Sequence, residues 1–259
     1  MNHGERNELL FKIYLCQLKY TKEVTNLFGE IKNCGFGNIE YLPLAEEINL
    51  KTINDKEIKL LAKKLNIKKS PPRAKADIKV NDLYISIKSL NAAPPSIINH
   101  TSRLGFLRIA EFLNLDIKNL DRQIENYWKL RIFGSISEDC SNDNSLSPFK
   151  NHKDIWRPYL EYFCFNGTGD GDSKFPADLL LSIDTFDDKA SWELIKKEEA
   201  IDKIWSGLKF CIRGGKGMDK YQNPKFKKIM SPWTEFSSEK YRGALTVRYK
   251  PLKLNRIVL

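Results

Sequence analysis

The chain holds 259 residues, with 41% hydrophobic and 11% aromatic content and a net charge of +10. That size and apolar content describe a folded protein of one large domain or two small ones and exclude an intrinsically disordered chain. No apolar run approaches the length of a bilayer span, and the opening Met-Asn-His-Gly-Glu-Arg lacks the apolar core of a signal peptide, so a soluble cytoplasmic protein is expected.

The charge is unevenly spread. From Lys203 onward 14 lysines and arginines stand against three acids, Asp219, Glu235 and Glu239, which makes that segment +11 and leaves the first 202 residues at −1. Trp205, Phe210, Tyr221, Phe226, Trp233, Phe236, Tyr241 and Tyr249 are interleaved with the charge, as on a folded surface. A single-sign segment on a neutral body implies a polyanionic partner, nucleic acid first and an acidic membrane surface second. No basic amphipathic helix stands out to support the membrane. The five cysteines (Cys16, Cys34, Cys140, Cys164, Cys211) are scattered and form no CxxC pair, and the histidines are His3, His100 and His152. A zinc cluster is therefore not expected, and buried free thiols are.

In chain order, apolar residues from Leu9 to Ile31 recur near helical spacing and predict a helix from Glu5 to about Lys32, ended by Gly35 and Gly37. Glu5 and Glu8 suit the positive end of its dipole. A connector and a second helix follow within 38–69, with Asn54 or Asp55 as the cap and Ile58, Leu60, Leu61 and Leu65 as apolar positions. Lys63, Lys64, Lys68 and Lys69 give that stretch a basic face, and Pro71-Pro72 stops it.

Two alternating runs, Ala76 to Val80 and Leu83 to Ile87, flank the turn-forming pair Asn81-Asp82 and predict a β-hairpin. A two-residue loop pairs Val80 with Leu83, Ile78 with Ile85 and Ala76 with Ile87, and these six form the expected buried face. The opposite face carries Lys75, Asp77, Lys79, Tyr84, Ser86 and Lys88. Asp77 then stands across from Ser86, with Lys88 on the diagonal. An aspartate and a lysine held together on a sheet suit phosphodiester hydrolysis. The carboxylate holds a hard divalent cation, the cation acidifies its water, and the lysine orients that water or offsets charge. The competing interpretation is an amphipathic hairpin with a solvated charged face.

Asp77, a hairpin, then Ser86-Ile87-Lys88 resembles the PD-(D/E)xK nuclease motif, whose best-populated branch is the type II restriction endonucleases. Ala76 stands where that motif has proline, and Ser86 where it has its second carboxylate. The resemblance implies an α/β fold, a mixed β-sheet flanked by helices (restriction-endonuclease-like core), with Mg²⁺ as cofactor. It implies Asp77 as the central metal ligand, Lys88 as the water-orienting and charge-stabilising group, and Ser86 as a polar stand-in. It also implies a glutamate from the first helix, often four residues after a glycine. Glu8 matches that position and Glu5 lies one turn away, so Glu8 is the expected additional carboxylate and metal ligand.

Past the hairpin, Asn99, His100, Thr101, Ser102 and Arg103 are small or forked donors suited to phosphate oxygens or base edges, and are expected to contact DNA. His100 has the chemistry of a general base, although a lone histidine more often donates a hydrogen bond. Phe106 to Leu113 and Leu120 to Ile132 read as helices covering the sheet. Residues 135–151 are rich in turn formers and read as a linker between a catalytic core, 1–134, and a second, basic α/β subdomain for DNA recognition, 152–259. Asn166 to Asp172 lacks the ligand order of an EF-hand and reads as a turn.

Phe175-Pro176-Ala177-Asp178, with Glu193 and Lys196, is a rival site. A helix predicted over Ala190 to Trp205, however, sets Glu193 and Lys196 three apart on it and not two apart on a strand. Leu208 to Arg213 and Ala244 to Lys250 read as strands. Arg213-Gly214-Gly215-Lys216-Gly217 lacks the Walker spacing, so no nucleotide cofactor is expected. Lys209, Arg213, Lys216, Arg242 and Arg248 are the expected phosphate contacts. Together these features anticipate a type II restriction endonuclease, cleaving double-stranded DNA with Mg²⁺ as a monomer or homodimer. The alternatives are a repair or structure-specific DNA nuclease and a non-catalytic nucleic-acid-binding protein.

Overall fold

A computed structural model describes residues 1–71, 73–91, 93–213, 226–234 and 243–250. The chain opens with α1 (His3–Thr21), β1 (Val24–Thr25), β2 (Gly29–Glu30), β3 (Cys34–Phe36), β4 (Ile39–Glu40) and α2 (Asp55–Lys64). The central stretch holds β5 (Ile78–Val80), β6 (Leu83–Ser89), β7 (Ser96–Ser102), α3 (Arg103–Phe112), α4 (Ile117–Ile132), β8 (Cys140–Ser141) and α5 (Lys153–Glu161). Then come β9 (Gly167–Thr168), β10 (Gly171–Asp172), β11 (Leu179–Ile183), β12 (Trp192–Lys196), α6 (Lys197–Ile204), β13 (Leu208–Arg213) and β14 (Ala244–Tyr249). Two compact units result. One comprises Met1–Pro95, Cys164–Gly167 and Asp172–Ala200, the other Ser96–Phe163, Thr168–Gly171 and Ile201–Leu259.

The first unit is built on a mixed sheet of six strands in the order β12-β11-β6-β5-β3-β4. The β6–β11 pair is parallel and its other pairs are antiparallel. The hairpin between β5 and β6 turns at Asn81, whose φ of 52° is the left-handed value that asparagine tolerates. Its side chain also accepts the Lys32 N–H at 2.9 Å and donates to Glu30 O at 3.1 Å, which fastens the turn to the preceding chain. α1 packs on β6 and α2, and its Leu10, Phe11, Ile13, Leu15 and Leu18 are all buried. The Phe11 and Tyr14 rings each lie 5.6 Å from Trp192. α2 begins at a capping box, with the Asn54 side chain accepting from Glu57 N–H and the Glu57 carboxylate accepting from Asn54 N–H.

Two expected helices are corrected here. α1 stops at Thr21, where Lys22 turns left-handed at φ 56°, and Val24–Thr25 pairs with Gly29–Glu30 instead of continuing the helix to Lys32. Val24 is 71% exposed, so the apolar spacing beyond Thr21 does not trace a buried stripe, while Phe28 folds back to within 5.8 Å of Phe11. Trp192–Lys196 is a strand that pairs in register with β11, and helix begins only at Lys197. A run of Trp, Leu and Ile beside a buried strand is stabilised more by pairing and packing than by helical propensity.

The second unit carries a four-stranded antiparallel sheet, β7-β14-β13-β8. Its core gathers Phe106, Phe149, Trp156, Tyr159 and Phe210 between the sheet and α3, α4 and α5. The 135–151 stretch, expected as a linker, is part of this core. Cys140 pairs with Phe210, and Phe149 is fully buried and stacks on Phe210 at 4.2 Å. Burying a Phe of this kind contributes roughly 1.5–3 kcal/mol, enough to hold an otherwise polar stretch against the sheet. The boundary between units therefore falls at Pro95–Ser96, with four later crossings, and not at 134. The five cysteines are buried free thiols. Among the described residues no helix is long and apolar enough to cross a membrane.

Candidate active site

The β5–β6 ladder keeps the expected register through Val80–Leu83 and Ile78–Ile85, and ends there. The Lys75 and Ala76 N–H groups both donate to Phe175 O, at 3.1 Å each, which draws the incoming chain away from β6. Ala76 consequently does not pair with Ile87 as expected. Asp77 takes over: its N–H donates to Ile85 O at 2.8 Å, and its Oδ2 accepts the Ile87 N–H at 2.6 Å. A carboxylate used as a strand acceptor is rigidly held, because losing that bond would leave a backbone donor unpaired.

Ser86 follows on β6, 1% exposed, with its Oγ 3.5 Å from Asp77 Oδ2. The burial of the hairpin departs from a simple two-faced pattern: Leu83 is 48% exposed and Ile87 half-buried, whereas Ser86 is sealed. β6 is an interior strand with β11 beside it, so its position in the sheet, more than its alternation, sets what water reaches.

Electrostatics tie the remaining groups to Asp77. Burial raises its pKa above the usual carboxylate value. The Lys88 charge opposes that rise, the Glu8 carboxylate adds to it, and the Ile87 N–H and Lys12 oppose it. Glu8, Asp77, Ser86 and Lys88 thus occur together in one unit, Glu8 delivered by the first turns of α1 and the other three by the hairpin.

Two further lysines belong to this cluster without any sequence motif to announce them. Lys12, one turn beyond Glu8, has a fully buried side chain; its Nζ pairs with Glu8 Oε1 at 2.5 Å and lies 3.4 Å from Lys68 O. The i, i+4 spacing of Glu8 and Lys12 is visible in the sequence, but such pairs are ordinarily solvated. Lys75 is half-buried, and its ammonium is pushed down to about 8, first by burial and then by the Lys88 charge. Among the described residues neither Lys75 Nζ nor Lys88 Nζ has a hydrogen bond or ion pair. Nothing in the local sequence distinguishes Lys75 from other strand-flanking lysines.

The donor set is sparse for a metal. Among the described residues no three His, Cys, Asp or Glu side chains converge. Asp77 and Glu8 each commit one oxygen elsewhere, to the Ile87 N–H and to Lys12, and keep the second. A two-carboxylate set matches Mg²⁺, which binds through one or two carboxylates and completes its shell with water and phosphate oxygens.

The rival residues are accounted for. Asp178 is occupied with β6: its N–H donates to Tyr84 O and its Oδ2 accepts the Tyr84 N–H, both at 2.8 Å. Glu193 and Lys196 lie on a strand and not on a helix, and an odd separation there sends them to opposite faces. The registers Lys88–Ser182 and Ser182–Glu193 nevertheless set Glu193 in the same lateral row as Lys88.

In the second unit, the residues expected to touch DNA divide into two groups. Asn99 and His100 are exposed on β7, and His100 is left-handed at φ 44°. Thr101 is buried. Ser102 caps α3, accepting the Gly105 N–H at 3.5 Å. Arg103 clamps Asp121 with Nε at 2.8 Å and Nη2 at 2.7 Å. Ser102 and Arg103 are therefore engaged in holding the fold. Lys209 and Arg248 lie on β13 and β14. Lys216, Arg242 and the Arg213 side chain lie outside the described residues.

Comparisons of the chain with protein-family models, with curated proteins and with solved structures found no match.

Proposed function

We propose that this protein is a Mg²⁺-dependent DNA endonuclease of the restriction type, with a restriction-endonuclease-like core formed by the unit that contains the β5–β6 hairpin. The observation that carries this reading is that Asp77 lies within 3.5 Å of Ser86 Oγ and is coupled electrostatically to Lys88 and to Glu8 of the first helix. A mere amphipathic hairpin with a solvated face gives no reason for a helix to bring a second carboxylate within electrostatic reach of the first.

Asp77 and Glu8 would hold the Mg²⁺. Bound there, the ion would acidify a water and neutralise phosphoryl charge. Asp77, fixed by the Ile87 N–H, gives the site a rigid anionic anchor. Lys88 makes no hydrogen bond or ion pair among the described residues and is available to orient the attacking water or to offset charge on the phosphoryl oxygens. Lys12 holds Glu8 in place. Ser86 offers a hydroxyl beside Asp77 where the resembling family has a carboxylate. The resemblance implies in-line attack by water that leaves a 5′-phosphate.

The test is to incubate purified protein with unmodified phage DNA, with Mg²⁺ and separately with EDTA. Discrete Mg²⁺-dependent fragments support the proposal, and a Lys88→Ala variant should abolish them while changing DNA affinity little. A smear would favour a repair-type or structure-specific nuclease. Fragments produced unchanged by Lys88→Ala would defeat the site assignment. A second reading, a nucleic-acid-binding protein without catalysis, is favoured by serine at position 86 together with the Lys12 ion pair on Glu8; intact but mobility-shifted DNA would select it.

A further inference from the structure

In the second unit the strand registers line four residues into one lateral row. Ser96 pairs with Arg248, Arg248 with Lys209, and Lys209 with Ser141. Directly paired residues on neighbouring strands project to the same face, so Arg248 and Lys209 stand side by side with Ser141 beyond Lys209, while Ser96 meets Arg248 at a register shift between β7 and β14. Like charges directly opposed across strands are destabilising. Both side chains here are half-buried, which weakens solvent screening, and among the described residues neither makes an ion pair or a side-chain hydrogen bond. In the next row on that face Thr246 pairs with Cys211, both buried. Glu138, which accepts from Cys211 Sγ, is itself held by Arg131 at 3.0 Å.

A pair of adjacent, half-buried cations without an ion pair among the described residues raises the free energy of the isolated protein, and an arriving anion lowers it again. We infer that the row Ser96–Arg248–Lys209–Ser141 is a binding row for the phosphodiester backbone of nucleic acid. Arg248 supplies a forked, charge-assisted donor set, Lys209 a point charge, and the two serines neutral donors, which is the mixture that phosphate and sugar contacts use. Three strand spacings of ~4.8 Å give the row a length of about 14 Å, room for more than one phosphate. The +11 charge of the segment that contains Lys209 and Arg248 favours a polyanion over an isolated phosphate ion. The inference rests on nucleic acid as partner but not on cleavage, and applies equally to a protein that binds without cutting.

The experiment is equilibrium binding of a labelled DNA duplex in EDTA, by fluorescence anisotropy, across a salt series. Lys209→Gln and Arg248→Gln should each weaken binding about three- to tenfold at low salt. Each should also reduce the slope of log affinity against log salt by about 0.9 for every phosphate that the variant no longer neutralises. Arg248→Lys should retain most of the slope, and Lys118→Gln, at an exposed position of α4, should bind as wild type. Thermal melting guards against misfolding: removing one of two opposed charges should leave the melting temperature unchanged or raised. Folded Lys209→Gln and Arg248→Gln proteins with wild-type affinity and slope would overturn the inference. So would a wild type that ignores DNA but binds phosphatidylserine vesicles through the same two residues. Wild type that binds DNA in this way yet never cuts it would sink the catalytic proposal and leave this one standing.

Discussion

The Asp77 carboxylate accepts the Ile87 N–H at 2.6 Å, in the place where a regular hairpin would offer the Ala76 carbonyl. One side chain therefore serves both the strand and the site, and the two duties separate on substitution. Asp77→Asn keeps an acceptor for Ile87 and loses the charge, so it should abolish DNA cleavage while melting close to wild type. Asp77→Ala leaves the Ile87 donor unpaired and should cost about 1–3 kcal/mol as well as activity. Chemical denaturation run beside a cleavage assay checks both; equal stability loss in the two variants would refute the strand role.

The Glu8–Lys12 pair behaves as a buried ion pair, with the lysine side chain fully enclosed. Glu8→Ala strands that ammonium with Lys68 O as its remaining acceptor among the described residues and should destabilise the protein by about 3–5 kcal/mol. Adding Lys12→Met to it should recover much of the loss, because the uncompensated charge is then gone. A double-mutant cycle by urea denaturation measures the coupling. Additive losses would mean that the two groups do not depend on each other.

Lys75 carries a pH signature in the absence of metal. Its ordinary value of 10.5 is pushed down to about 8 in the folded protein, by burial first and by Lys88 second. Between these two values the unfolded chain binds the proton and the folded chain does not, so stability rises with pH through that window. Below pH 8 the full penalty of a charged, half-buried lysine applies. Lys75→Met should therefore raise stability at pH 7, with the gain shrinking as pH climbs toward 10.5. Denaturation in EDTA at pH 7, 8.5 and 10 tests this, and a gain that is independent of pH would contradict it.

Ser86, sealed beside Asp77, permits a gain-of-ligand test. Ser86→Asp places a second carboxylate next to that of Asp77, and without metal the like charges should lower the melting temperature by several degrees. Mg²⁺ should restore it, and the Mg²⁺-induced increase should exceed that of wild type. Calorimetry with and without Mg²⁺ reads the difference. No greater response in the variant would argue that the ion does not sit there.

Local signals were legible to the extent that their causes are local. The cap of α2, narrowed to Asn54 or Asp55, the Asn81-Asp82 turn, α3 and α4, and the strands β13 and β14 depend on residues a few positions apart, and each was readable from the chain. Four residues of the candidate site could also be named, Asp77, Ser86 and Lys88 from an aspartate, a hairpin and a serine-x-lysine, and Glu8 from its place four residues after Gly4. The sequence alone thus determined which helices and turns could form, where the excess charge lies, and which side chains could carry the chemistry.

Only the tertiary structure decided the rest, since pairing and burial act between residues far apart in the chain. Trp192–Lys196 is a strand because β11 lies beside it, and 135–151 is packed because Phe149 meets Phe210. Lys12 joins Glu8 in the candidate site because the fold closes over it. Asp77 caps Ile87 because Phe175, almost a hundred residues later, takes the Lys75 and Ala76 N–H groups that a longer ladder would have used. Arg248 and Lys209 become neighbours only through strand register, which fixes the distance between charges that the sequence sets 39 positions apart.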